Sequence, residues 1–212
     1  MKQKLRREII EASYKAHACH IGSALSCVDI VLDIYNKMGK DDIFVFSKAS
    51  GVAALYVVLA EKGYFPKSKV AYYLKKYPLP SRKVPGVTVD GGSLGHGLPM
   101  ACGIALADKK RKVYVLMSDG ELQCGTTWES LLFKKQHKLN NLKIIVDANE
   151  FQACGKIKDI LDVPWDFLRS MGIKVVKTIK GKGVSFMENN NDWHYFNLDE
   201  NTYKEAIRQL TD

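Results

Sequence analysis

The sequence predicts an α/β fold, a parallel sheet with helices on both faces, giving three layers. Three observations predict it. Residues 43–46, 113–117 (VYVLM) and 143–146 are short and almost wholly apolar, as in strands buried on both faces. Segments with helical spacing separate them, and strand–helix alternation builds parallel sheets. The 212 residues are 46% hydrophobic and 26% charged, so a sizeable core is available and disorder is not expected. No internal repeat or low-complexity linker divides the chain, so residues 1–212 read as one domain.

The elements follow in order. Residues 3–19 carry Leu5, Ile9, Ala12 and Ala16 at helical spacing, and residues 20–23 break that helix. Ser26 with Asp29 three residues on resembles a capping box, opening a helix to about Met38 that stops at Gly39. A strand over 43–46 precedes a helix over 50–62 that ends at Gly63. Ser68 caps a further helix to about Lys76, and the proline-rich stretch 78–86 is loop. A glycine-rich run, 91–97, leads into an alanine-rich helix over 100–108. Strand 113–117, a helix over 126–138 and strand 143–146 come next. A helix over 165–170, a strand over 173–178 and a last helix, opened by Asn201 or Thr202 and reaching about Leu210, complete the chain. Trp128 and Trp165 fall at core positions of helices, whereas His17 and His137 lie on helices and take no functional assignment.

The net charge is +9, from 32 Lys+Arg against 23 Asp+Glu. The lysines are scattered rather than interleaved with aromatics, which reads as a solvated surface, so no nucleic-acid partner is expected. The densest run, 109–112 (KKRK), sits where a helix ends, and cations there suit the helix dipole. The longest apolar stretch, 51–60, is half the roughly 20 residues that a bilayer span needs. The basic start precedes no apolar signal region, so a membrane or secretory role is not expected. Cys19, Cys27, Cys102, Cys124 and Cys154 form no CxxC pair, which argues against a disulfide framework or zinc site and for a reducing cytoplasm.

Open α/β sheets bind ligands beyond the carboxyl ends of their strands. Asp119-Gly120 follows the strand VYVLM, and Asn149 follows the next strand, about one βαβ unit later. A carboxylate, an amide and a nearby backbone carbonyl make a hard oxygen site for Mg²⁺ or Ca²⁺, completed by waters and phosphate oxygens. Gly120 lets the backbone approach a phosphate, and the helix that follows aims its N-terminus at the same place. Taken alone, DG and AN read first as ordinary turn dipeptides, and the metal–diphosphate site second.

Four stretches and this pair carry a resemblance. Asp119-Gly120 with Asn149 resembles the thiamine-diphosphate motif G-D-G…N. Residues 20–30 (HIGSALSCVDI) resemble the G-H-x-G-x-x-L-S segment of transketolases. Residues 46–65 resemble S-K-G-H-A…L-A-E-K-G-Y-F. Residues 85–97 resemble P-G-V…G-S-L-G-Q-G, and residues 180–194 resemble K-G-K-G…M-E-N-N…W-H-G. The matches cover nearly the whole chain in the family's order. The resemblance implies the thiamine-diphosphate-binding fold and the diphosphate-binding, N-terminal part of a transketolase. It implies Asp119, Asn149 and the carbonyl of Phe151 as metal ligands. It further implies Gly95, His96, Gly97, Asp119, Gly120, Glu121 and Asn149 at thiamine diphosphate, with His96 in place of a glutamine. His20 and His194 fall at substrate-facing positions and are the candidate catalytic residues.

The same resemblance implies a division of labour. The family's second domain holds the aminopyrimidine and supplies the glutamate that activates it. The expectation is therefore one subunit of a split transketolase, working with a C-terminal partner subunit in a dimer of heterodimers. A two-carbon ketol unit would pass from a ketose or keto acid to an aldose or modified-sugar acceptor. Four positions depart from the pattern: Ser118 opens the motif in place of glycine, Ser50 and Leu79 stand where histidines occur, and Cys124 where many members carry glutamate. Those losses motivate the alternative of a non-catalytic, cofactor- or partner-binding module.

Overall fold

The computed structural model of the protein describes residues 1–210. Four strands form one sheet in the order β1 (Ile43–Phe46), β2 (Val113–Ser118), β3 (Leu142–Ala148) and β6 (Lys174–Lys177). All neighbours are parallel, with Phe46 opposite Leu116, Ser118 opposite Asp147 and Asp147 opposite Val176. A two-residue hairpin, β4 (Phe151–Gln152) with β5 (Gly155–Lys156), stands beyond the end of β3.

Because side chains alternate across a strand, the sheet feeds two cores. Phe44, Phe46, Leu116 and Ile145 face one side, where they join α1 (Lys2–Ala16), α2 (Ile21–Lys37), α3 (Val52–Glu61), α4 (Val70–Lys76) and α8 (Glu200–Gln209). Val45, Val115, Met117, Ile144 and Val146 face the other side, against α5 (Gly97–Ala107), α6 (Gly125–Gln136) and α7 (Trp165–Ser170). The apolar stretch at 51–60 packs as α3, buried along its length up to Ala60, with only Glu61 partly exposed.

Several element boundaries differ from the sequence expectation. The second helix opens at Ile21, not at Ser26. His17 and His20 both adopt left-handed backbone, φ 49° and 63°, and the turn between them separates α1 from α2. Ser26 is instead buried inside α2, where its hydroxyl meets Asp147. Ser68 lies within a short 3-10 turn, and the N-cap of α4 is Lys69. The last helix is capped by Asp199, whose carboxylate accepts from the Thr202 N–H at 2.8 Å while the Thr202 hydroxyl donates back. Trp128 and Trp165 are partly buried against the second core, and the Trp128 indole also donates to the Leu122 carbonyl at 2.8 Å. The hairpin at 151–156 carries no alternating apolar run, so nothing in its pattern announced it. No helix among the described residues is long and apolar enough to cross a membrane.

Candidate functional site

The carboxyl ends of β2 and β3 are adjacent strand ends, and the oxygen donors collect there. Asp119 begins a 3-10 turn straight after β2 and is fully buried. Its Oδ1 accepts from the Gly120 N–H at 3.0 Å, and its Oδ2 from the Glu150 N–H at 2.6 Å. The second bond crosses from one strand end to the other and ties Asp119 to the residue after Asn149. Burial pushes the Asp119 carboxyl up to about 6, against the pull of the Lys48 ammonium and these two N–H groups. A cation in contact would relieve that strain.

Asn149 is 2% exposed. Its Oδ1 accepts from the Phe151 N–H at 3.0 Å, and its Nδ2 donates to Ser26 Oγ at 3.2 Å. Glu150 bridges the two with left-handed backbone, φ 68°. In the hairpin, Ile157 N–H bonds the Glu150 carbonyl, while Phe151 pairs with Lys156 at the next position. Antiparallel ladders alternate bonded and non-bonded pairs, so the Phe151 carbonyl points away from β5. The Asp119 carboxylate and the Asn149 amide are thus held at one corner, and the Phe151 carbonyl next to them in the chain is free of the hairpin ladder.

These residues fit a cation that brings its own phosphate oxygens. Among the described residues no three His, Cys, Asp or Glu side chains converge as a metal cluster. One carboxylate with neutral oxygens is the donor set of a site that shares Mg²⁺ with a phosphate. Two further observations agree. A Cβ on Gly120 would meet only ordinary contacts, the nearest being Gln152 Cβ at 3.6 Å, so the chain's own packing does not demand glycine there. Over the same glycine lies Gln152, whose Nε2 is buried without a hydrogen-bond partner. A buried orphan donor is costly and calls for an acceptor.

Gly95 and Gly97 answer to packing. Gly95 has φ +77°, and a Cβ there would lie 2.6 Å from Thr126 Oγ1; a Cβ on Gly97 would lie 2.3 Å from Ser47. His96 is exposed at the N-cap of α5. Glu121, expected at the cofactor, makes internal contacts in this structure. Glu121 is fully buried, and its oxygens accept from the Ser118 N–H at 2.7 Å, the Ser118 and Ser47 hydroxyls and the Gly95 N–H at 3.3 Å. With its carboxylate spent internally, Glu121 holds the Gly95 loop against the turn after β2. Ser118, where glycine was anticipated, is the partner in this capping box.

The histidines form a second group. His20 caps α2 in left-handed backbone, and its N–H bonds the His194 carbonyl at 3.0 Å. The two rings meet edge to face at 4.9 Å. Lys180, fully buried, places Nζ 3.1 Å from His194 Nδ1 and 2.6 Å from Asn191 Oδ1. Its ammonium also lies 5.6 Å from the centre of the Phe151 ring, which connects the histidines to the oxygen corner. Burial, then the Lys48 charge, brings Lys180 down to about 8. Burial, then Lys180, lowers His194 to about 3, and the same causes lower His20. At neutral pH His194 is a neutral imidazole. Tyr195, whose ring lies against both imidazoles, is exposed, as are Phe196, Leu79 and Leu94.

Four buried polar residues escaped sequence reasoning: Ser26, Lys48, Asp147 and Lys180. One signal was present. A carboxylate embedded in the apolar run IIVDA must find a buried cation, and Lys48 is that cation, its Nζ 2.7 Å from Asp147 Oδ2. Lys180 stood inside the TIKGKG segment with no feature marking it as buried.

A parallel sheet whose strand ends gather a carboxylate, an amide and a glycine has these groups where open α/β folds bind their ligands. Comparison with known proteins makes this specific. Residues 2–189 match the family described as "Transketolase, thiamine diphosphate binding domain", and the chain belongs to the transketolase family. It is 33% identical to an apulose-4-phosphate transketolase subunit from Phocaeicola vulgatus, across 99% of this chain and 92% of that protein. It is 35% identical to the protein of the same name from Actinobacillus succinogenes, across 98% and 94%. The crystal structure of a transketolase from Campylobacter jejuni superposes with a TM-score of 0.87 at 24% identity, covering 99% of this chain but 42% of that one. The fold therefore corresponds to well under half of a full-length transketolase, and to nearly all of a relative whose name makes it one subunit of a transketolase.

Proposed function

We propose that this chain is the diphosphate-binding subunit of a two-chain, thiamine-diphosphate-dependent transketolase. It transfers a two-carbon ketol unit from a ketose or keto acid to an aldose or modified-sugar acceptor. The observation that carries this is the bond from the Glu150 N–H to Asp119 Oδ2, which sets a buried carboxylate beside Asn149 across two strand ends. Asp119, Asn149 and the Phe151 carbonyl hold Mg²⁺, or Ca²⁺ in its place, and Gly120 admits the diphosphate. The Gln152 amide, unpaired over Gly120, donates to a phosphate oxygen. The loop through Gly95, His96 and Gly97 lies at the cofactor side, held there by Glu121. Bound thiamine diphosphate supplies the carbon nucleophile that cleaves the donor's carbon–carbon bond.

The chain's own part is to position and to manage protons. His194, kept neutral beside Lys180, offers its ring to a substrate hydroxyl, and His20 stands against it. The exposed Leu79, Leu94, Tyr195 and Phe196 are covered by a partner subunit that carries the pyrimidine-binding domain and the activating glutamate. Residues 1–212 act as one diphosphate-binding domain within a dimer of heterodimers. The five cysteines, all unpaired, suit the cytoplasm.

Gentle purification from native cells tests this, followed by identification of co-purifying chains and a donor–acceptor screen. A stoichiometric partner of the pyrimidine-binding type, with Mg²⁺-dependent ketol transfer by the complex, is the expected result. A chain that purifies alone and turns nothing over would replace this reading with that of a non-catalytic binding module.

A further inference from the structure

Asn149 can offer an oxygen to a cation only if its amide is turned one way. The two ends of an amide have nearly the same shape, so something must choose between them. The structure shows what chooses. Ser26 Oγ, buried inside α2, lies 3.2 Å from Asn149 Nδ2. A hydroxyl has one proton, and two acceptors are within its reach: the Ser23 carbonyl at 2.9 Å and Asp147 Oδ2 at 2.6 Å. The carboxylate is nearer and charged, and charge-assisted bonds are the stronger ones, so it takes the proton. Ser26 is then left only as an acceptor towards Asn149. It accepts from Nδ2 and repels Oδ1.

The charge that drives this is held in place. Asp147 is fully buried and Lys48 nearly so, with Nζ 2.7 Å from Asp147 Oδ2. The Thr178 hydroxyl meets only Asp147 Oδ1, the oxygen turned away from Ser26 and Lys48, and takes no part in the chain to Asn149. On the far side of the amide, the Phe151 N–H donates to Asn149 Oδ1 at 3.0 Å, which enforces the same orientation. Hydrogen bonds that fix the orientation of a metal ligand from behind are worth about 10- to 100-fold in metal affinity.

We propose that Lys48, Asp147 and Ser26 form a polarised chain that locks the Asn149 amide with its oxygen, not its nitrogen, presented to the metal. The three are positioning residues acting through Asn149. The inference rests on the reading of Asp119 and Asn149 as metal ligands.

Mn²⁺ titration of the full chain in the presence of thiamine diphosphate, followed by electron paramagnetic resonance, tests it. Ser26→Ala is expected to weaken Mn²⁺ binding at least about tenfold. Thr178→Val, which touches the same carboxylate but not Asn149, is expected to leave it within about twofold. Thermal melting is followed alongside. If Ser26→Ala does not fold, Asp147→Asn reads the same coupling, because it frees the Ser26 proton, and the same weakening is expected. Parent-like Mn²⁺ binding in Ser26→Ala, or equal weakening in Ser26→Ala and Thr178→Val, would overturn the proposal. Failure of the parent chain to bind Mn²⁺ with thiamine diphosphate would instead overturn the metal site itself.

Discussion

The oxygen corner and the histidine mouth lie side by side yet are built by different rules. At the corner Asp119, Asn149 and Asp147 are buried, and each is hydrogen-bonded from within the chain: Asp119 and Asp147 accept from the Glu150 N–H and the Lys48 ammonium, and Asn149 donates to Ser26. At the mouth the buried Lys180 has, among the described residues, only the Asn191 oxygen and the His194 ring within hydrogen-bond reach, and Tyr195 and Phe196 lie open. The corner's hydrogen bonds come from within one chain, whereas the mouth is where the proposed partner subunit would pack. That difference separates what this chain does alone from what an assembly must add.

The largest expected effect breaks the corner. Asp119→Ala should lower the activity of the assembled enzyme by more than about 100-fold, beyond the 10- to 100-fold cost of losing a supporting group. Retained activity in a steady-state assay would remove the corner from the mechanism.

The two buried lysines sharpen the contrast in stability. Lys48→Met strands the Asp147 carboxylate in the core and should cost about 3–5 kcal/mol in urea unfolding. Lys180→Met removes a cation that burial already disfavours and should change stability by no more than about 1 kcal/mol, while impairing turnover. Equal destabilisation by the two would erase the distinction.

A pair of glycines divides in the same way. Gly97→Ala drives a Cβ to 2.3 Å from Ser47 and should cost about 1–3 kcal/mol by overpacking. Gly120→Ala meets only ordinary contacts and should leave the melting temperature unchanged while weakening thiamine diphosphate binding, read by calorimetry.

The smallest effect is acid sensitivity at the mouth. His194 sits near 3 in the folded chain against an ordinary 6.5, so on acidification the unfolded chain takes up this proton first. Stability from this residue is complete above about 6.5 and is lost as the pH falls towards 3. His194→Gln should flatten that part of the stability–pH curve, and an unchanged slope would place the acid response elsewhere.

The same contrast explains what the sequence made legible. Strands such as VYVLM announce themselves because both faces are buried, and Asp119 and Asn149 stand out in the sequence because each follows such a strand. The internal partners of Glu121 were not legible because adjacency in sequence to Asp119 does not say which way a carboxylate points after a 3-10 turn. The opening of α2 was missed because it depends on left-handed backbone at His17 and His20, which no side-chain pattern encodes. Lys48, Asp147 and Ser26 come from three distant segments, and only the assembled fold reveals that they share protons.

The most direct measurement is a calorimetric titration of thiamine diphosphate into this chain with and without Mg²⁺. Binding is predicted to require Mg²⁺ and to disappear in Asp119→Ala. Binding that is indifferent to both the metal and Asp119 would contradict the claim that this chain carries the metal–diphosphate half of the site.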